Sequence, residues 1–378
     1  MSKKLHILFL CGWFPSRVLP TNGDFIERHA KAVSKKHKVT VLHIISDENC
    51  IQKIEIVSEQ KDELDIHIAY IKKTKNPLNK LLLYRKAFLS LLKNIGDFDV
   101  VHLNKLYPFG IFSLYLKKTQ KKPFIISEHF TGYHLPLSKN ISFIEKFISK
   151  KIAKNAAFIC PVSNNLKEAM QQLGFDGNYK RVPNVVDTNL FVPSESKNSV
   201  FTISHISNMV NRHKNIEGLL KVIKKLETKL ANFKVEIIGE NSSNYISFAN
   251  KIDINLNNVT FIDQIPHKEI ANRLQNSDLF VLFSNYENLP CVILESFSCG
   301  VPVISTNVGG IKEYFPEDFG KLIKKNDQEE LLKSIILFEK SFKTKTLNKQ
   351  KMHNFVIDNF SENKIALEFE KLYFKALK

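Results

Sequence analysis

Two glutamates, Glu287 and Glu295, stand eight positions apart in 285-NYENLPCVILESFSCGVPVIST-306, one in a polar loop and one inside an apolar run. The first follows LFVLFS (279–284), which reads as a buried strand. Ligands of open α/β sheets collect outside the carboxyl ends of the strands, so Glu287 is expected in a ligand cleft. Pro290 suits a first helical turn and Gly300 a C-terminal stop, which predicts a short helix from about Cys291 to Cys299. The amides of its first turn, around Leu289 to Val292, favour an anion at the same place. Glu295, flanked by Leu294 and Phe297, needs a partner because an unpaired buried carboxylate is costly. A ribose diol can donate two hydroxyls to it; a structural hydrogen bond or salt bridge is the alternative.

Other candidates sit at comparable places. Lys214 precedes the apolar helical stretch NIEGLL and reads either as a phosphate ligand or as one solvated lysine of a basic chain. Gly23, in the turn Asn22-Gly23-Asp24, opens a helix and allows close backbone approach to a phosphate. His129 ends the strand-like PFIISEH, and His102, with Asn104 and Lys105, ends DVVHL; the latter three form an acceptor-side group.

These residues need strands and helices to hold them. Continuous apolar runs of the kind found in parallel strands covered on both faces recur at 5–10, 38–44, 99–103, 123–129 and 157–163. A second set lies at 201–207, 234–240, 259–263, 279–284 and 301–306. Helical patterns fall between them, as in 24–36, 215–230 and 267–275. That alternation predicts doubly wound α/β sheets. KRVPNVVD (180–187) reads as a short strand, and the polar PSESKNS (193–199) as a linker after which the rhythm restarts. The expected organisation is two Rossmann-like α/β domains, 1–192 and 200–360, facing across a cleft, followed by a C-terminal helix, 361–378, that can return to the first domain.

From Glu287 onward, E-N-L-P-C-V-I-L-E, then S-F-S-C-G-V-P-V-I-S-T, then N-V-G-G-I-K-E, resemble the donor-site signature of the retaining glycosyltransferases of family 4, which have GT-B architecture. The resemblance extends over nearly the whole second domain and more loosely over the first. It implies that Glu287 contacts a donor sugar, that Glu295 holds the nucleotide ribose, and that the backbone of Asn288, Leu289 and Pro290-Cys291 borders sugar and diphosphate. It implies a phosphate clamp with Lys214. The clamp's usual arginine position falls on Asn208 or Met209, leaving Arg212 or His213 to supply charge from a shifted place. It puts the Gly23 loop beside acceptor and diphosphate. It also puts His129 near the donor sugar, where it can bridge a hydroxyl or, if protonated, stabilise the leaving phosphate. Asn184 and Asp187, in 183-PNVVDTNLF-191, read as hinge structure. Retention at the anomeric carbon follows from the same resemblance, with no metal and no cofactor.

The bulk properties constrain partners. A chain of 378 residues with a formal charge of +17 favours an anionic partner such as a nucleotide, a phosphorylated substrate or an acidic membrane face. Lys/Arg accompany apolar residues at helical spacing in LNKLLLYRKAFLSLLKNI (78–95) and ISFIEKFISKKIAK (141–154), either lying on an anionic membrane or burying an apolar face in the core. Five scattered cysteines without zinc or disulfide spacing indicate a reducing, cytoplasmic location. MSKKLHILFLCGWF imitates a signal peptide, yet its apolar run of about eight residues meets no A-x-A-like site, so a buried first strand is expected. No apolar stretch reaches the roughly 20 residues that cross a bilayer.

The expected reaction is transfer from a UDP- or GDP-sugar to a glycan or lipid-linked acceptor in bacterial surface polysaccharide or lipopolysaccharide synthesis. A GT-B nucleotide-sugar epimerase is an alternative enzyme; a phosphorylase needs a pyridoxal-binding lysine for which there is no clear signal. A basic membrane-surface or nucleic-acid binding module leaves the paired glutamates unexplained, and the aromatics form no RNA-stacking motif, so no nucleic-acid partner is expected.

Overall fold

The computed structural model describes residues 3–195, 198–342 and 348–378. In chain order the first part runs β1 (His6–Cys11), α1 (Asp24–Ser34), β2 (Lys38–Asp47), β3 (Ile54–Lys61), β4 (Leu64–Lys72) and α2 (Pro77–Lys93). It continues with β5 (Val100–Asn104), α3 (Gly110–Gln120), β6 (Phe124–Glu128), α4 (Phe143–Asn155), β7 (Phe158–Pro161) and α5 (Asn164–Gln172). The second part begins with β8 (Phe201–Ile206), α6 (Asn211–Lys214), α7 (Ile216–Leu226), β9 (Phe233–Ile238), α8 (Ile246–Lys251) and β10 (Val259–Ile262). Then come α9 (His267–Gln275), β11 (Leu279–Leu282), α10 (Cys291–Ser298), β12 (Val303–Thr306), β13 (Gly320–Ile323), α11 (Gln328–Phe342), α12 (Lys349–Phe360) and α13 (Glu362–Ala376).

Two sheets result, ordered β3-β4-β2-β1-β5-β6-β7 and β10-β9-β8-β11-β12-β13. Among the described residues every strand pairing is parallel except β3 with β4, a hairpin turned at Asp62 and Glu63, both at positive φ. Sequence reading missed this hairpin because β3 is an edge strand with a largely exposed, polar face, and its turn lacks the Asn-Gly or Asp-Gly signal. The same reading missed β13, a four-residue edge strand. KRVPNVVD is not a strand; only an isolated bridge from Val186 to Ser361 occurs there.

The chain divides into two compact units, Met1–Val185 with Glu362–Lys378, and Val186–Ser361. The division therefore falls upstream of the polar stretch 193–199, of which Ser196 and Lys197 lie outside the described residues. In the first unit the strands align so that Cys11 pairs with Asn104 and Asn104 with Ser127. The loops that follow β1, β5 and β6 thus emerge along one edge. Alternation along β5 separates the two faces of the sheet. His102 points to α13, where its ring meets Phe369 and Tyr373. Leu103 points to the other face, where α3 and α4 meet at Gly110 and Ile152. Phe369 and Tyr373 are part of the same core as Ile7, Phe9 and Ile26, so α13 is a core element of the first unit.

Candidate active site

The second unit holds the two glutamates of the opening motif. After β11 the chain turns through 283–290 before α10 starts, with Pro290 at the helix N-cap. Glu287, only 8 % exposed, sits in that turn. Its Oε1 accepts a hydrogen bond from Ser284 Oγ at 2.7 Å and pairs with the Lys214 ammonium. Burying a lysine or a glutamate alone is costly, and each satisfies the other here.

Local sequence dictates how Lys214 arrives. Asn215 adopts a left-handed conformation, φ 53°, which ends the single turn of α6 and starts α7; asparagine tolerates that region better than most residues. Lys214 is thereby the last residue before the kink. The carbonyl of its neighbour His213 accepts the amide of Asn285 at 2.6 Å, locking the two loops together. The turn carrying Gly309 and Gly310 also clasps the motif. The Gly310 amide donates to the Asn288 carbonyl at 2.8 Å, and a Cβ on Gly309, at φ 60°, would stand 1.9 Å from the Glu287 carbonyl oxygen. Asn288 and Leu289 are buried, while Pro290 and Cys291 are half-buried at the start of α10.

Glu295, on the buried face of α10, lies 3.1 Å through Oε1 from His267 Nε2. The His267 ring also packs edge-on against Phe191, centroids 4.8 Å apart. Sequence reasoning left His267 unassigned. Its signal was its place at the start of α9, just beyond the carboxyl end of β10. Ser284 was missed in the same way, three residues before Glu287 at a strand end.

The positions of the absent clamp arginine are occupied without cationic replacement. Asn208 is exposed, whereas Met209, at φ 58°, is 5 % exposed and packs in the core. Arg212 is exposed on α6, with its carbonyl accepting from Asn285 Nδ2 at 3.2 Å. Lys325 lies 4.1 Å above the ring of Tyr286, which precedes Glu287, so one further cation adjoins the motif.

In the first unit, Glu128 organises the sheet edge. It is fully buried and accepts amides from Leu106, His129 and Phe130 at 2.8, 2.9 and 2.9 Å, fastening the loops after β5 and β6. Burial still pushes its pKa above the ordinary carboxylate value. His129 packs on Phe25, centroids 4.6 Å apart, beside His29 at 5.4 Å. Burial, with His29 adding to it, drives the pKa of His129 well below the ordinary histidine value, which favours the neutral ring. Lys105 stays at this edge, its ammonium 4.0 Å over Trp13 and 5.1 Å over Phe130, and desolvation lowers its pKa.

Two acceptor-side expectations are corrected. His102 is a core residue: its ring nitrogens meet Tyr373 Oη and Ser127 Oγ, each at 2.7 Å, and no surface remains. Asn104 is equally buried and donates to the His102 carbonyl at 3.1 Å. Both lie at the end of β5 but point into the sheet's packed layers. Gly23 is also explained by the chain's own packing, since a Cβ there, at φ 80°, would stand 2.7 Å from the Trp13 carbonyl carbon.

Two family models together cover most of the chain. One described as Glycosyltransferase Family 4 matches residues 25–190, and one described as Glycosyl transferases group 1 matches residues 189–364. The chain belongs to glycosyltransferase family 4. Its two parallel-sheet Rossmann-like units are those of GT-B enzymes. The whole chain is similar in fold to sucrose-phosphate synthase from Thermosynechococcus elongatus, with a TM-score of 0.79 at 17 % identity, covering 98 % of this chain and 99 % of that one. The Anabaena protein HepE, solved with UDP, has a TM-score of 0.73 at 16 % identity, covering 98 % and 99 %. Among sequence relatives of this family 4 member, a component of the phosphatidylinositol N-acetylglucosaminyltransferase of Arabidopsis thaliana is 28 % identical over 202 residues, 52 % of this chain. That match spans only 44 % of the Arabidopsis protein's length. TuaC of Bacillus subtilis, named for teichuronic acid biosynthesis, is 20 % identical over 364 residues, 89 % of each chain.

Proposed function

We propose that this glycosyltransferase moves a sugar from a nucleotide-diphosphate sugar, with UDP or GDP as the nucleotide, to a glycan or lipid-linked acceptor with retention at the anomeric carbon. The observation that carries the reading is the Glu287–Lys214 pair at the carboxyl edge of the second sheet, within one short turn of the α10 N-terminus. A carboxylate for a sugar hydroxyl, a cation for phosphate and a helix start facing the same place are the three groups that a nucleotide-sugar requires.

In this scheme Glu287 positions the sugar and Lys214 takes charge developing on the β-phosphate as the bond to the anomeric carbon breaks. Exchanging the carboxylate for phosphate keeps the ammonium paired throughout. The first-turn amides of α10 contribute to the same charge, and the acceptor oxygen attacks on the face that phosphate leaves. This division of labour calls for no metal. Glu295 receives the ribose hydroxyls, with His267 yielding or sharing its bond to that carboxylate. His129 serves as a hydrogen-bonding partner to a sugar hydroxyl. HepE's complex with UDP supports a uridine nucleotide, and the names of the Bacillus and Arabidopsis relatives support a cell-surface polymer or a lipid as acceptor class.

Thermal shift with UDP, GDP and ADP tests the donor side. One nucleotide is expected to raise the melting temperature, and Glu295→Ala to weaken its binding at least ~10-fold through the lost carboxylate bonds. Equal shifts in wild type and Glu295→Ala would misplace the ribose.

A further inference from the structure

Three helices of the first unit begin along the same edge of its sheet. Parallel strands end together there, and α2, α3 and α4 each start after a strand that ends on that edge. All three occupy the face opposite α13: α2 and α3 meet through Phe88 and Phe112, α3 and α4 through Gly110 and Ile152. Gly110, the first residue of α3, meets Ile152 well into α4, and Phe112 meets Phe88 well into α2, so the N-terminal turns of α2 and α4 reach past the start of α3 at the rim that also carries Lys105 and His129.

That rim is apolar where a water-facing rim should be polar. In α4, Phe143 is 83 % exposed and Ile144 66 %, with Phe147 half out and its ring stacked toward Phe143. In α2, Leu78 is 71 % exposed, and Leu81 and Leu82 follow it. Ile111, in the first turn of α3, is exposed as well. Apolar side chains so clustered mark a contact surface.

The accompanying charge is predominantly basic: α4 carries one carboxylate, Glu145, in its first turn, and α2 carries none. Between Lys72 and Gly96 the chain has no acidic residue, and exposed Lys80, Arg85 and Lys86 share α2 with the leucines. The first turn of α2 lacks the acidic residues that a helix N-terminus favours. In α4 exposed Lys150 and Lys151 follow the Phe/Ile ridge, and Lys151 Nζ sits 4.4 Å over the Phe147 ring.

We propose that this rim docks on an anionic bilayer surface, with the α4 ridge and the α2 leucines in the headgroup layer and the lysines on lipid phosphates. Protruding bulky apolar tips with Lys80, Arg85, Lys86, Lys150 and Lys151 beside them fit that partner, because burial in lipid and attraction to lipid phosphates act together there. The proposal deepens the lipid-linked acceptor reading and rests on it for its purpose. It places the edge bearing Lys105 and His129 against the surface from which such an acceptor is drawn.

Sedimentation of the full chain with vesicles of phosphatidylglycerol and phosphatidylcholine in equal parts, against pure phosphatidylcholine, tests it. Binding at least ~10-fold tighter to the anionic vesicles is expected, weakening as salt is raised. The triple variant Phe143→Ser, Ile144→Ser, Phe147→Ser is expected to lose at least ~10-fold of that binding while keeping the nucleotide-induced thermal shift. Leu256→Ser, at an exposed leucine of the second unit, is expected to bind as wild type does. Equal binding to both vesicle types, or undiminished binding of the triple variant, would overturn the proposal. So would a wild-type dimer that ignores vesicles and is split by the triple variant. Vesicle binding without any nucleotide shift would keep the docking surface and remove the donor reading instead.

Discussion

At the scale of single residues, the decisive arrangement is a lysine and a glutamate that hold one another. Glu287→Ala and Lys214→Ala are each expected to lower sugar transfer at least ~100-fold with the fold intact. Because the two side chains are in contact, the double variant should lose far less than the product of the single losses. Initial rates across that cycle decide it, and near-wild-type turnover in either single variant would misplace the site. Glu287 and Lys214 were legible because strand ends and helix starts mark where a parallel sheet presents its ligands. His102 misled for the same reason. It ends a strand, but the side-chain alternation that sends Leu103 to one face sends His102 to the other, under a helix some 270 residues away by sequence number. Only tertiary packing reveals which side of an edge residue is covered.

At the scale of elements, the clasp between the Gly309-Gly310 turn and the Glu287-Asn288 backbone sets where the carboxylate stands. Gly309→Ala puts a methyl group into the Glu287 carbonyl and asks for a left-handed conformation of a residue that resists it. The loop must shift, and a displacement of that order is expected to lower turnover by about tenfold or more while circular dichroism stays unchanged. Full activity in Gly309→Ala would show that the turn does not position Glu287. The strand–helix rhythm was readable at this scale wherever strands are buried on both faces, since continuous apolar runs betray them. The hairpin of β3 and β4 and the short β13 were not, because edge strands answer to neighbours on one side only and need no such run. The α4 segment was readable as an amphipathic helix, but sequence could not say whether its Phe/Ile ridge faced core or solvent; packing of Gly110 on Ile152 commits the other face to the interior.

For the molecule as a whole, acid is expected to unfold it more readily than its basic composition suggests. Burial pushes His29 and His43 in the first unit and His205 in the second down to about 4. In the unfolded chain such rings take up a proton near pH 6.5. Between these values the unfolded state holds more protons, so stability rises with pH and is lost as pH falls from about 6.5 toward 4. Each ring contributes up to ~1.4 kcal/mol per pH unit in that window. Melting temperatures measured from pH 7.5 down to 4.5 should drop steadily below pH 6.5, and a flat profile would contradict the burial of these rings as neutral groups. The chain's route has a further consequence. Unit two is one unbroken segment, Val186–Ser361, whereas unit one takes its last core helix from Glu362 onward. On a translating ribosome the later-made unit can therefore complete itself first, while the earlier one waits, with His102 and its apolar neighbours uncovered, for Phe369 and Tyr373 to emerge.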